Sequence, residues 1–164
     1  MTGLIVVADT TPLRYLVAIE REHLLPALYG RLLIPPAVAG ELNHESTPSV
    51  VRAWLAARPD GLEIRQPAHA LGPDVDLDEG ERQAIALAEE VDADLLLIDE
   101  WDARREAERR HLRVAGTLRV LADAANLGLT DLEMSFERLR RTNFRANPEL
   151  LESLSREFKR ARRE

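Results

Sequence analysis

Short aliphatic runs alternate along the chain with longer stretches in which apolar residues recur every three or four positions. The runs are LIVVA at 4–8, RLLI at 31–34, LEIR at 62–65, DLLLI at 94–98 and RVA at 113–115. Their uniform apolarity predicts strands buried on both faces, as in a parallel sheet covered by helices. The intervening periodic stretches predict helices at 22–29, 36–45, 48–58, 78–92, 100–111 and 117–127. An earlier helix is expected from Thr11, with Pro12 in its first turn where no N–H is needed. Strands alternating with helices predict a three-layer α/β/α sandwich with a central parallel sheet. Residues 131–164 carry no strand signal and predict a C-terminal helical extension of two helices, the last opened by Asn147 as cap and Pro148 in the first turn. Its end, REFKRARRE, reads as a solvated charged face, and 66–77, with Pro67, Gly72 and Pro73, as a long loop.

Composition narrows the class. A chain of 164 residues is long enough to bury a substantial core in one domain without disulfides or a structural metal. Cysteine is absent, which fits a reducing compartment, and the expected localisation is cytoplasmic. The opening MTGLIVVAD lacks a basic leader region and its apolar run stops at Asp9, so it is read as a strand; no run is long enough for a membrane span, and no membrane partner is expected. The net charge of −7 argues against a broad basic nucleic-acid surface. The charge is uneven, however: residues 1–100 hold 7 basic and 18 acidic residues, and residues 101–164 hold 15 and 11. Of the 22 basic residues only Lys159 is lysine; the arginines suit bidentate phosphate contacts but are equally explained by codon composition.

Two strands end in acids, Asp9 after LIVVA and Asp99 after DLLLI. Ligands of open parallel sheets bind beyond the carboxyl ends of the strands, so neighbouring placement of these two strands would bring both carboxylates into one cleft. Glu41 lies three and four residues from Val38 and Ala37, and Glu81 three and four from Ala84 and Ile85, which places both on inward helix stripes. Four carboxylates in one pocket repel one another unless a hard cation joins them, and oxygen donors suit Mg²⁺ or Mn²⁺. Each acid also has a structural role open to it. Asp9 and Asp99 could cap the helices that follow them, and Glu81 could be the return arm of a capping box with Asp78.

Other chemistries lack parts. A phosphate-receiver site needs a lysine late in the sheet, whereas Lys159 is in the tail; a haloacid-dehalogenase-like site needs an acid two residues after Asp9, where Thr11 stands. There is no glycine-rich phosphate loop and no G-x-S-x-G turn, and His23, His44, His69 and His111 are scattered without metal-ligand spacing.

The stretches VVADTTPLRYL, LLIPPAVAGEL, LDEGERQAIALA, DADLLLIDEWDAR and VAGTLRVLADAANLG resemble, in order and spacing, the PIN domain family, most of all its VapC-like toxin ribonucleases. The resemblance covers roughly residues 4–127, and NFRANPELLESL is similar to that subfamily's C-terminal part. It implies a PIN-like nuclease domain at 1–130, with 131–164 packing on it. It further implies a metal-dependent endoribonuclease that hydrolyses RNA phosphodiester bonds with Mg²⁺ or Mn²⁺, acts as the toxin of a type II toxin–antitoxin pair, partners a small antitoxin and pairs as a homodimer. Asp9, Glu41, Glu81 and Asp99 match the family's catalytic and metal-binding acids. Thr11 matches its hydroxyl residue near the first acid, and Arg104 a recurrent arginine that holds a carboxylate or meets a phosphate. The alternatives are an inactive PIN-like binding or interaction module and an RNA-processing nuclease without an antitoxin.

Overall fold

The computed structural model describes residues 3–163; Met1, Thr2 and Glu164, which end the predicted N-terminal stretch and the charged tail, lie outside the described residues. Five strands form one parallel sheet: β1 (Ile5–Ala8), β2 (Arg31–Ile34), β3 (Leu62–Ile64), β4 (Leu95–Leu97) and β5 (Val114–Ala115), in the order β3-β2-β1-β4-β5. Between them run α1 (Thr10–Ala18), α2 (Leu24–Leu28), α3 (Pro36–Leu42), α4 (Ser49–Ala56), α5 (Glu79–Glu90) and α6 (Trp101–Arg109). After β5 come α7 (Thr117–Asn126), α8 (Leu132–Arg140) and α9 (Pro148–Arg163).

The two-residue period of the strands divides the core. Val6, Ala8, Leu32, Ile34 and Leu97 face a layer that includes α1, α4 and α7, while Val7, Leu33, Leu96 and Ile98 face α5 and α6. Both faces of the central strands β1 and β4 are therefore dry, which is why their sequences are aliphatic and not alternating, whereas β3 at the sheet edge carries Glu63, paired with Arg31 and Arg65. This is the expected α/β/α sandwich. Leu132, Phe136, Leu139, Leu151 and Leu154 of the two last helices are buried in the same core as α1 and α7. Asn147 opens α9, its Oδ1 accepting the N–H of Glu149 at 2.9 Å. The first helix starts at Thr10, one residue before the position predicted from Pro12, because Asp9 is the extended residue that precedes it.

Strand order fixes where a ligand can bind. From β1 the chain proceeds outward on one side through β2 and β3, and then crosses to β4 and β5 on the other. The order therefore reverses between β1 and β4, and the loops there diverge to leave a crevice. The register pairs Ala8 with Leu97, and the N–H of Asp9 donates to the Leu97 carbonyl at 2.9 Å. The adjacency of the two acid-ended strands, on which the shared cleft depends, is thus a property of the fold.

Candidate active site

The carboxyl ends of β1, β4 and β5 open into a cleft of about 1070 Å³. All four predicted acids, together with Thr11 and Arg104, line it. Their settings differ. Asp9 is only 4% exposed at the end of β1. Its side chain makes no capping bond to α1, so the capping role open to it in the sequence is not taken up. Burial pushes its carboxyl up to about 8, opposed by the backbone N–H of Thr10 and reinforced by the carboxylates of Glu81, Asp78 and Glu41. A proton held that tightly marks a group for which the fold supplies too little positive charge.

Glu81 takes up the capping role that the sequence left open and also lines the cleft. Asp78 and Glu81 form a reciprocal capping box, Glu81 N–H donating to Asp78 Oδ1 at 2.8 Å and Asp78 N–H to Glu81 Oε1 at 3.1 Å. The same side chain is buried and faces Asp9; burial pushes it up to about 7, against the Asp78 N–H that lowers it, with Asp78, Glu100 and Glu41 adding to the rise.

Glu41 departs from its predicted inward placement. The buried face of α3 carries Val38 and Leu42, and Glu41, turned one residue away from Leu42, is exposed at the cleft rim. Its Oε2 accepts the hydroxyl hydrogen of Thr10. Desolvation raises its carboxyl pKa despite that bond, and Asp78 raises it further. Gly80 of α5 makes room for it: a Cβ there would lie 2.6 Å from Glu41 Oε1. A side chain at position 80 would therefore displace the Glu41 carboxylate from where it now lies.

Asp99 does not cap the helix after it; Glu100 is the residue preceding α6 and makes no side-chain cap. Asp99 instead grips the start of α7, taking the Thr117 N–H on Oδ1 at 2.8 Å and the Thr117 hydroxyl on Oδ2 at 2.7 Å. Burial raises its pKa while Thr117 and then Arg104 pull it down. Asp99 and Arg104 both lie over Gly116, where a Cβ would approach Asp99 Oδ1 to 2.5 Å and the Arg104 guanidinium to 3.0 Å. Among the described residues Arg104 makes no ion pair within 4.0 Å, so it biases Asp99 electrostatically without being held by it.

The sequence reading missed Thr10, Asp78 and Thr117 as parts of the site. Thr10 was concealed by the neighbouring Thr11, which lines the cleft while Thr10 holds Glu41. Asp78 was read only as a helix cap, yet it too faces Asp9. Thr117 carried a legible signal, a hydroxyl residue opening a helix directly after a strand and a glycine.

A sequence model for a family described as the PIN domain matches residues 5–160. The chain belongs to the PIN domain family. PIN domains are commonly nucleases and generally use divalent metal ions; in this PIN domain Asp9, Glu41, Glu81 and Asp99 line one cleft. No curated protein matches the chain. Among solved structures it is similar to a PilT N-terminus domain protein from the hyperthermophilic archaeon Sulfolobus solfataricus P2, with a TM-score of 0.54 and 15% identity over 74% of this chain and 93% of that one. At that identity the likeness concerns the fold.

The donor set is chemically suited to a divalent cation. The acids offer hard oxygens, and Asp9 and Glu81 are desolvated beside other carboxylates. Among the described residues no three acidic, histidine or cysteine side chains stand gathered as ligands of one ion. Glu41 is turned to Thr10, Glu81 to Asp78 and Asp99 to Thr117.

Proposed function

We propose that this PIN domain is a divalent-metal-dependent endoribonuclease that hydrolyses RNA phosphodiester bonds, acting in the cytoplasm as the toxin of a type II toxin–antitoxin pair. The observation that carries the reading is Asp9, a buried carboxylate at the strand-order reversal whose nearest charged neighbours are further carboxylates. Burying such a group without a cation partner is costly, and a site retained at that cost fits a metal centre.

Asp9, Glu41, Glu81 and Asp99 would hold Mg²⁺ or Mn²⁺. The bound ion would supply charge stabilisation at the phosphate oxygens and activation of the attacking water. Thr117 fixes the orientation of Asp99, and Thr10 holds Glu41 at the rim until it is needed. Thr11, on the cleft wall, would offer a hydroxyl to the substrate, and Arg104, which forms no ion pair among the described residues, would meet a phosphate. Incubating a defined RNA oligonucleotide with the purified chain tests this reading: internal cleavage is expected with Mn²⁺ and none with excess chelator. Chelator-insensitive cleavage, or no cleavage with any divalent ion, contradicts it.

One observation favours the second reading, an inactive binding module: each of Glu41, Glu81 and Asp99 is already engaged by a protein hydrogen bond. The two readings part on the oligonucleotide assay, since a binding module retains RNA without cutting it. The toxin assignment further requires a small antitoxin, expected from an adjacent reading frame encoding a DNA-binding protein. Homodimerisation is also part of the proposal. Of the apolar stripe on α9, Leu151 and Leu154 are buried in the chain's own core and Phe158 packs against it, while Leu150 remains 41% exposed. Light scattering on the purified chain is expected to report a dimer; a monomer at high concentration leaves the stripe as core packing alone.

A further inference from the structure

We propose that Trp101 is the platform on which one RNA base stacks beside the acidic cleft, which makes it the residue of the cleft wall that sets affinity for the strand being cut. The inference rests on the nuclease reading of this cleft and names a substrate-binding residue within it.

The chain has two tryptophans. Trp54 packs against the main core, whereas Trp101 is 70% exposed and borders the acidic cleft two residues beyond Asp99. Helix α6 turns its small residues, Ala103 and Ala107, inward and leaves the indole at its first position facing water. Packing therefore does not explain the indole, and so large an exposed aromatic beside a polar cleft calls for a ligand with a flat apolar face.

The neighbouring charges say which part of a nucleic acid that is. Glu100 and Asp102 adjoin Trp101 in the chain and Arg104 stands one helical turn further along α6, so the indole itself is left to the uncharged face of a base with a cation for the phosphate beside it. Further cations line the cleft. Arg14 and Arg145 line it and, among the described residues, form no ion pair; Arg119 is engaged by Asp123 and Glu157. The loop bearing Arg145 is fixed to α1 by the Tyr15 hydroxyl, which donates to Asn143 Oδ1 at 2.6 Å, and by edge-to-face packing of Tyr15 on Phe144 at 5.0 Å. An exposed aromatic face and arginines that form no ion pair among the described residues, all lining one cleft, match a strand whose bases turn one way and whose backbone turns the other. In a duplex the base faces are already stacked and cannot be presented to Trp101.

The test uses the Asp9→Asn, Trp54→Phe protein in Mg²⁺ buffer, where Trp101 is the sole fluorophore of its kind and the RNA is not cut while it binds. A short unpaired RNA oligonucleotide is expected to quench Trp101 fluorescence, and the same sequence as a blunt duplex is not. Adding Trp101→Ala is expected to weaken the Kd for the unpaired strand roughly ten- to hundredfold, and Trp101→Phe to restore most of it. In the otherwise unaltered protein Trp101→Ala should raise KM by a similar factor with kcat little changed. Unchanged fluorescence, unchanged Kd on Trp101→Ala, or equal affinity for the duplex overturns the proposal and leaves Trp101 to a protein partner. Failure of the nuclease reading shows separately, as absence of cleavage by the parent protein with Mn²⁺.

Discussion

Asparagine in place of Asp9 is expected to leave the fold intact, flatten the pH dependence of stability in chelator and reduce RNA cleavage by at least about a hundredfold, the upper range for loss of a mere supporting group at a metal site. The size and shape of the side chain are kept, and the charge is removed. In the parent protein the Asp9 carboxyl, ordinarily near 3.8, is held up to about 8, chiefly by burial. Between those values the unfolded chain ionises this group while the folded chain keeps the proton. The stability contributed by the raised pKa is therefore fully present below about pH 4 and is lost as pH rises through about 8. Glu81, raised to about 7, adds to the loss over the lower part of the same window. Melting temperatures in chelator should thus fall from pH 5 to pH 8 in the parent, and distinctly less in Asp9→Asn. Equal slopes in the two proteins, or undiminished cleavage by the variant in Mn²⁺, would falsify the account of Asp9.

Glu81→Gln separates the capping bond that Glu81 makes from the metal-site role proposed for it. A glutamine carbonyl can accept the Asp78 N–H as Glu81 Oε1 does, so the capping box survives. The charge facing Asp9 does not. Stability without metal is expected to hold or rise, because the repulsion among Asp9, Glu81 and Glu41 is relieved. Cleavage should collapse nonetheless. By contrast Asp78→Ala, which removes the acceptor for the Glu81 N–H, is expected to cost about 0.5–2 kcal/mol of stability. Thermal melts and cleavage rates measured side by side decide the matter. A Glu81→Gln protein as active as the parent at limiting Mn²⁺ reduces Glu81 to a helix cap.

The strands and helices could be read from the sequence because parallel strands buried on both faces need uniform aliphatic runs, such as LIVVA and DLLLI, and these are hard to mistake beside helical periodicity. The order of the strands could not. Nothing in residues 4–8 or 94–98 states that they are neighbours; that follows from how the crossovers pack, and the convergence of Asp9 and Asp99 waited on it. Among the site residues, Glu81 was legible because α5 is long enough for its apolar stripe to fix which way each residue faces. Glu41 sits on a helix of seven residues, too short for periodicity to distinguish inward from rim, and the rim is where it lies. The partners that hold the acids were the least visible. Thr10, Thr117, Gly80 and Gly116 act across chain separations that no local pattern encodes, and the two glycines act through the space they leave.

Calorimetric titration of Mn²⁺ into chelator-stripped protein near pH 6.5, repeated in buffers of different ionisation heat, tests most directly whether the acids form a metal centre. Asp9 and Glu81 retain protons at that pH, and a cation must displace them to bind. The expected result is saturable binding with proton release to the buffer, both strongly reduced in Asp9→Asn and Glu81→Gln. Absence of binding, or binding with neither proton release nor sensitivity to these two substitutions, would contradict the account.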